Sequence, residues 1–298
     1  MKMSSSEFLV GRRGHESIGS LLVQMGVLEP KDIDRVLQLH QQQKLRFGEA
    51  AVQLRLISES DLMYALSRQF SFSYSRPVAG GSQIDPEVVA AHEPFGPRSD
   101  QIRSIRSQLL LRWYSRTQRR NALCVIGSEA SEGRSYLAAN LATVFAQAGE
   151  TTLLIDANMR QPHQHRLFGV GNDIGLSSVL AGYRPSEAIV GLPELPGLFL
   201  MPSGPVPPNP LELLSQLAWT ELVSHSRNDF DCVIIDTPAL AIGEDAAFVA
   251  ARCGAALAVA RTGLTRVSTF SRMLLGLANA GVSVVGSVWN DVPSPARK

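Results

Sequence analysis

Three stretches of this chain carry residues whose types and spacing could do chemistry. The first runs from Cys124 to Asn140. A short β-branched run (Val125, Ile126) enters a small polar loop, Gly127-Ser-Glu-Ala-Ser-Glu-Gly133, and an Ala/Leu-rich helical pattern leaves it at Ser135. Strand, loop, then helix N-terminus makes a phosphate cradle: loop and first-turn N–H groups lack backbone partners, and the positive end of the helix dipole attracts an anion. The spacing departs twice from the P-loop formula G-x-x-x-x-G-K-[ST]. Ser128 stands at the first Gly, with Gly127 one residue early, and Arg134 stands at the Lys. On spacing alone, a phosphate site and an ordinary strand-to-helix loop both stay open.

The other two stretches are acidic strand ends. Leu153-Leu-Ile155 runs into Asp156-Ala-Asn158-Met-Arg160, and Val233-Ile-Ile235 runs into Asp236-Thr237-Pro238. A carboxylate at the end of a buried apolar strand is costly to desolvate unless a metal or hydrogen bonds compensate it. Asp236, beside the hydroxyl of Ser135, is therefore a candidate for holding a Mg²⁺ water shell, and Asp156 for binding the same metal or orienting a nucleophile. The alternative is that each aspartate caps the next turn. Three such features on one sheet edge favour a metal–nucleotide site.

The elements that must position these residues follow from periodicity. From Asn121 onward, strands and helices alternate, with strands expected at 123–126, 152–155, 198–201, 232–235, 256–259 and 282–288. Several are continuous apolar runs, as in parallel strands covered on both faces. The fold class predicted is α/β: a doubly wound, mostly parallel sheet that binds ligands at the carboxyl ends of its strands. It is preceded by a small all-α helical-repeat domain. In that repeat the segment from Gly19 to Leu37 can be laid over Gly48 to Leu66, pairing Val23-Gln24 with Val52-Gln53 and Asp32 with Asp61. Each copy reads as helix, turn, helix, and neither could bury its apolar face alone. The expected organisation is a tail (1–14), the repeat domain (15–70), a linker (71–98) holding Pro77, Pro86, Pro94 and Pro97, the α/β domain (99–292) and a short tail (293–298). A helix is expected to start near Ser99-Asp100 and to carry Asp100, Arg103 and Arg106 on one stripe, whose plain reading is a solvated charged face.

Bulk properties exclude some classes. The 298 residues are 45% hydrophobic and 18% charged, with a formal charge of +1. That balance is globular and offers no global field to recruit nucleic acid. Cys124, Cys232 and Cys253 sit among apolar or small residues, as reduced buried thiols do. No run approaches the roughly 20 apolar residues of a membrane helix, so a membrane role is expected to come through a partner.

Two resemblances add to this. The repeat resembles the N-terminal domain of type II secretion ATPases, including the version that binds cyclic di-GMP. Arg46-Phe47-Gly48 and Gln69 match the start and end of its motif; the first copy keeps Gly19 but has Ser17 and His40 at those ends, and Arg55 replaces the Gly present as Gly26. The resemblance implies Gly19, Arg46, Gly48 and Gln69 as cyclic di-GMP contacts, with Arg12 or Arg13 as substitutes for the missing arginine. A protein-docking helical module is the alternative.

Residues 95 to 292 resemble the bacterial tyrosine kinases of exopolysaccharide export, cytoplasmic chain-length-determinant kinases related to septum-placing and partition ATPases. Their Walker A loop is matched by Gly127 to Ser135 with Tyr136 following, their Walker A′ motif by Asp156, Asn158, Arg160 and Pro162, and their Walker B motif by Asp231 to Pro238. The resemblance implies ATP and Mg²⁺ as cofactors. Ser131, Glu132, Gly133, Arg134, Ser135 and Tyr136 would hold nucleotide, and Asn290 would contact adenine. Ser135, Asp156 and Asp236 would serve the metal, with Arg134, Asp156, Asn158 and Asp236 as the catalytic set. Asp100, Arg103 and Arg106 match a subunit-contact motif, implying a homo-oligomer. The implied partner is a membrane-embedded polysaccharide co-polymerase, at the inner face of the plasma membrane. Three departures keep other functions open: Arg134 for Lys, Asn158 for the second Walker A′ Asp, and no tyrosine-rich tail, the tyrosines being Tyr64, Tyr74, Tyr114, Tyr136 and Tyr183. A partition-like ATPase switch without kinase activity is one alternative, and a cyclic di-GMP-sensing scaffold is the other.

Overall fold

The computed structural model describes residues 17–69, 82–115, 117, 118 and 120–291, the side chains of Ser60 and Ser67 excepted. Both expected tails and residues Arg12, Arg13 and Tyr74 lie outside the described residues. The chain divides into two units, Met1–Ser82 and Gln83–Lys298.

The described part of the first unit is two helical pairs. Helix α1 (Ile18–Gln24) and α2 (Ile33–Gln43) form one, α3 (Phe47–Gln53) and α4 (Glu59–Gln69) the other. Ser17 caps α1 by accepting the Ser20 N–H at 3.2 Å. Leu21, Leu22, Leu28, Ile33 and Val36 of the first pair bury against Phe47, Ala50, Ala51, Ile57 and Ala65 of the second. Gly48 lets α3 approach α4: a Cβ there would lie 2.2 Å from Leu62 Cδ1. Gly26 and Arg55, equivalent in the two copies, both adopt left-handed backbone, with φ of 68° and 57°. A non-glycine residue there costs about 1–2 kcal/mol, partly offset by its smaller loss of chain entropy. Arg55→Gly is thus expected to stabilise the protein by about 0.5–1 kcal/mol, read as a raised denaturant midpoint at unchanged slope.

The second unit begins earlier than composition suggests. Residues 83–98, read above as linker, pack onto the α/β core: Ile84, Val88, Val89 and Ala90 are buried. Helix α5 (Val89–His92) is held by side chains of the helix beneath it, Asn140 Oδ1 accepting the Ala90 N–H at 2.9 Å and Gln147 donating to Ala90 O at 2.6 Å. Helix α6 (Pro97–Arg112) starts two residues ahead of the expected Ser99-Asp100, with Gly96 as N-cap and Pro97 at its first position. Ser99 is no cap; it is buried, and its hydroxyl donates to the carbonyls of Val89 and Glu93.

The chain then runs β1 (Ala122–Gly127), α7 (Arg134–Gln147), β2 (Thr152–Asp156), α8 (Gln164–Leu167), α9 (Leu176–Leu180), α10 (Pro185–Ala188), β3 (Val190–Gly191), β4 (Leu198–Met201), α11 (Pro210–Ser215), α12 (Leu217–Asp229), β5 (Cys232–Asp236), α13 (Asp245–Cys253), β6 (Ala255–Arg261), α14 (Val267–Asn279) and β7 (Ser283–Asn290). The seven strands lie in the order β3-β4-β2-β5-β1-β6-β7. All neighbours are parallel except β3 and β4. Strands β1, β2 and β5 are buried along their whole length, which explains their unbroken apolar runs. One core lies under α6 and α7 around Phe145, Leu141 and Leu154; the other lies under α12, α13 and α14 around Trp219, Ile155 and Val249. The two-residue β3 had no sequence signal, being short and exposed.

Candidate active site

Because β2, β5 and β1 are parallel neighbours, their carboxyl ends deliver three groups to one edge: Asp156, Asp236 and the loop 127–135. Asp156 and Asp236 are register partners on adjacent strands, and both are fully buried. Burial and the neighbouring Asp236 push the Asp156 carboxyl up to about 7. Burial also raises Asp236, against the Ser135 hydroxyl, the Gln164 amide and the Arg134 charge, which pull it down. Two buried carboxylates side by side cannot both ionise cheaply, so the pair holds a proton near neutrality until a cation joins it.

The two acids are not equivalent. Asp156 Oδ1 accepts the Asn158 N–H at 3.1 Å, and its Oδ2 accepts the N–H groups of His163 and Gln164 at 3.0 Å each. It thus caps the following turn while standing at the site. Asp236 Oδ2 accepts from Gln164 Nε2 at 2.8 Å, and its Oδ1 is buried with no partner. The Gln164 amide also donates to Ser135 O at 3.1 Å, leaving Gln164 Oε1 as a second buried acceptor without a partner. Gln164 therefore ties both aspartates to the first turn of α7. Sequence reading missed it; its only signal is a position just beyond the Asp156–Pro162 motif. Asn158 is largely buried and its Oδ1 accepts the Gln161 N–H at 3.2 Å, so its side chain shapes the turn. Arg160 pairs with Asp245, Nε to Oδ2 at 2.5 Å and Nη2 to Oδ1 at 3.2 Å, pinning the β2 loop to α13.

The loop is built around an internal ion pair. Glu132 is fully buried, its Oε1 accepting from the hydroxyls of Ser128 at 2.9 Å and Thr265 at 2.6 Å. Its Oε2 lies 3.2 Å from Arg134 Nη1. Arg134 also donates to Glu129 O at 2.5 Å and, through Nε, to Thr237 O at 3.3 Å. Its guanidinium, 8% exposed, thus folds back into the loop between β1 and β5. Burial lowers its proton affinity while Asp236 and Glu132 support the charge. Gly133 has φ of 94°, and a Cβ on it would lie 2.2 Å from Asn290 Nδ2. Asn290 in turn donates to Glu132 O at 3.0 Å, placing the end of β7 against the loop. Ser131 takes a left-handed φ of 61° and its carbonyl accepts from Arg261 at 2.9 Å. Tyr136 is half-buried against the α6–α7 core.

The remaining predicted residues fall elsewhere. On α6, Arg103 pairs with Asp100 at 2.7 Å and donates to Pro94 O. Arg106 instead turns inward, 5.6 Å from the Phe145 ring centroid, so the three do not form one solvated stripe. In the first unit Gly19 and Gly48 are buried, Arg46 is exposed with its N–H on Glu49 at 2.9 Å, and Gln69 ends α4.

Among the described residues no cluster of three or more His, Cys, Asp or Glu makes a metal cage, and no helix is long and apolar enough to cross a membrane. Mg²⁺ needs no such cage, being held by one or two carboxylates with water and phosphate oxygens. The unpartnered Asp236 Oδ1 and the proton-sharing pair fit it.

No family model matches the chain. Tyrosine-protein kinase YwqD of Bacillus subtilis is 34% identical over 210 residues, 70% of this chain and 88% of that protein. Tyrosine-protein kinase etk of Escherichia coli K12 is 32% identical over 204 residues, 68% of this chain but only 28% of that protein. The chain therefore spans under a third of the length of its longer relatives. The solved kinase domain of Escherichia coli tyrosine kinase ETK superposes with a TM-score of 0.66 at 32% identity, covering 71% of this chain and 82% of that one. With a mostly parallel sheet, a strand–loop–helix turn, paired acids at the adjoining strand ends and these relatives, the chain belongs to the family of bacterial tyrosine-protein kinases.

Proposed function

We propose that the α/β unit binds ATP with Mg²⁺ and transfers the γ-phosphoryl group to a tyrosine hydroxyl. The observation that carries this reading is the buried Asp156–Asp236 pair with one open oxygen beside the loop. The loop N–H groups and Arg134 would hold the phosphate chain, and Ser135 and Asp236 would hold the metal. The metal would supply neutralisation of phosphate charge. Asp156 would take the proton from the tyrosine hydroxyl as the O–P bond forms and the bond to the ADP oxygen breaks. Gln164 would keep both acids aimed, and Asn290 would border the base.

A base poised near 7 gives a signed pH prediction. Protonation of Asp156 removes the base, and a cation on Asp236 lowers the value near 7 that holds without one, so kcat/KM should show an acid limb lying below 7. A pH–rate profile with no acid limb between pH 5 and 7 would remove Asp156 from that role.

The acceptor is a tyrosine of this chain or of a partner. Within the α/β unit, Tyr183 is 53% exposed, whereas the Tyr114 hydroxyl bonds Glu150 and Asp231 O and Tyr136 is half-buried. Self-phosphorylation in this unit should therefore map to Tyr183 and vanish in Tyr183→Phe, as read by phosphopeptide mass spectrometry. The partner we assign is a membrane polysaccharide co-polymerase that brings the chain, as an oligomer contacting through Asp100 and Arg103, to the inner face of the plasma membrane. For the helical unit, the exposed Arg46 favours an anionic ligand such as cyclic di-GMP. Calorimetry on the full chain and on Arg46→Ala tests this, and an absence of heat leaves a protein-docking module.

A second reading, an ATPase switch that phosphorylates no protein, is favoured by the Glu132–Arg134 pair and by the amide of Asn158. ATP turnover without phosphotyrosine, abolished in Asp236→Ala, would select it.

A further inference from the structure

At the edge of the sheet opposite the active site, the first residues of β1, β6 and β7 floor a cleft of about 490 Å³. Among the described residues four arginines line it and no carboxylate does. Arg112, Arg227 and Arg252 occupy the last turns of α6, α12 and α13, and Arg120 stands on the loop entering β1. A cation in a helix's last turn complements that helix's own dipole, which accounts for three of them one at a time. It accounts neither for Arg120 nor for the convergence of three helix ends on one concavity. Among the described residues none of the four guanidinium groups has a carboxylate partner. Arg227 donates through Nη2 to Cys253 O while its Nε is buried with no acceptor. Arg252 stacks over Phe248 at 5.3 Å, which fixes its fork without neutralising it. Four like charges gathered in a cleft repel one another unless an anion balances them.

We propose that this cleft is a second ligand site, separate from the P-loop, that binds an oligophosphate anion. Guanidinium forks match phosphate oxygens two at a time, so four arginines suit two or three linked phosphates rather than one carboxylate. The volume falls within the roughly 300–1,000 Å³ of small-ligand sites. The phosphates could belong to a nucleotide or to a free polyphosphate chain; the arginines recognise what the two share.

The test is calorimetry of the full chain, saturated with ADP and Mg²⁺ to fill the P-loop, titrated in parallel with inorganic tripolyphosphate and with ATP. One saturable tripolyphosphate site is expected, weakening steeply with added salt and at least tenfold in the double variant Arg120→Gln/Arg252→Gln. Both are exposed side chains whose replacement leaves the fold intact, and the salt dependence of the unmodified protein gives a reading independent of any variant. ATP binding tighter than tripolyphosphate, by a margin lost in Arg120→Gln/Arg252→Gln, would assign a nucleotide, and equal binding the phosphate chain alone. No saturable heat in the ADP-loaded protein, or the same affinity in the double variant, would overturn the proposal. So would sedimentation with phosphatidylglycerol vesicles, lost in the double variant, where tripolyphosphate gives no heat: the cleft would then belong to a lipid surface.

Discussion

Asp236→Asn should lower phosphoryl transfer by about 10³-fold while making the ligand-free protein more stable above neutral pH. The loss follows from removing what is, among the described residues, the one buried carboxylate with an open oxygen, where several kcal/mol of charge stabilisation would be delivered. The gain follows from the acid pair. Asp156 ionises near 3.8 in the unfolded chain and near 7 in the folded one. Its contribution is therefore fully present below 3.8 and lost as pH rises through about 7. Taking the neighbouring charge away relieves that loss, and the amide can still accept from Gln164. At pH 8 the variant should gain about 2 kcal/mol, on the order of 5 °C in melting temperature. Near pH 4 the two proteins should converge. Thermal melts across this range, beside single-turnover transfer assays, read both effects from one substitution. A variant less stable at every pH would mean that the aspartates are not in conflict.

The second large effect concerns the ion pair inside the loop. Arg134→Ala leaves the fully buried Glu132 carboxylate without its cation, which should cost about 3–5 kcal/mol and abolish measurable ATP affinity. Glu132→Gln acts in the opposite sense on binding. Its amide keeps acceptor capacity for the Ser128 and Thr265 hydroxyls, while the negative charge beside Arg134 is gone. A single charge a few ångströms from a phosphate is worth a few kcal/mol before screening at an effective dielectric of about 20, so ATP should bind about tenfold more tightly. Denaturant titrations and calorimetry of the two variants separate stability from affinity. If Glu132→Gln bound ATP more weakly, the glutamate would be aiming Arg134 at the phosphates rather than competing with them.

What was legible in the sequence has a common character. Asp156 and Asp236 could be placed because each ends an unbroken apolar run, and a strand buried on both faces reads as such without knowing its neighbours. The same holds for the loop, whose order of strand, turn and helix is local. What escaped notice is defined by distant contacts. Gln164, which was missed, matters through Asp236, 72 positions away, and Glu132, expected as a nucleotide contact, is held through Thr265, 133 positions away. The burial of Glu132 contradicts every local preference of a loop glutamate, and it depends on the fold bringing Thr265 to the loop. Arg106 shares a helical stripe with Asp100 and Arg103, yet Phe145 beneath it turns the side chain inward. The prolines near residues 86–97 suggested a linker, but Ile84, Val88 and Ala90 needed a surface to cover, and the core around α7 supplied it. Composition reports chain stiffness; it does not report what lies underneath.

The central claim is that these residues transfer phosphate to tyrosine rather than merely bind nucleotide. The purified full chain should be incubated with ATP and Mg²⁺, with and without a tyrosine-containing acceptor peptide, and analysed by phosphotyrosine mass spectrometry beside Asp236→Asn. The account predicts phosphotyrosine on the chain or the peptide, lost in the variant. ATP bound and hydrolysed with no phosphotyrosine on either would contradict it.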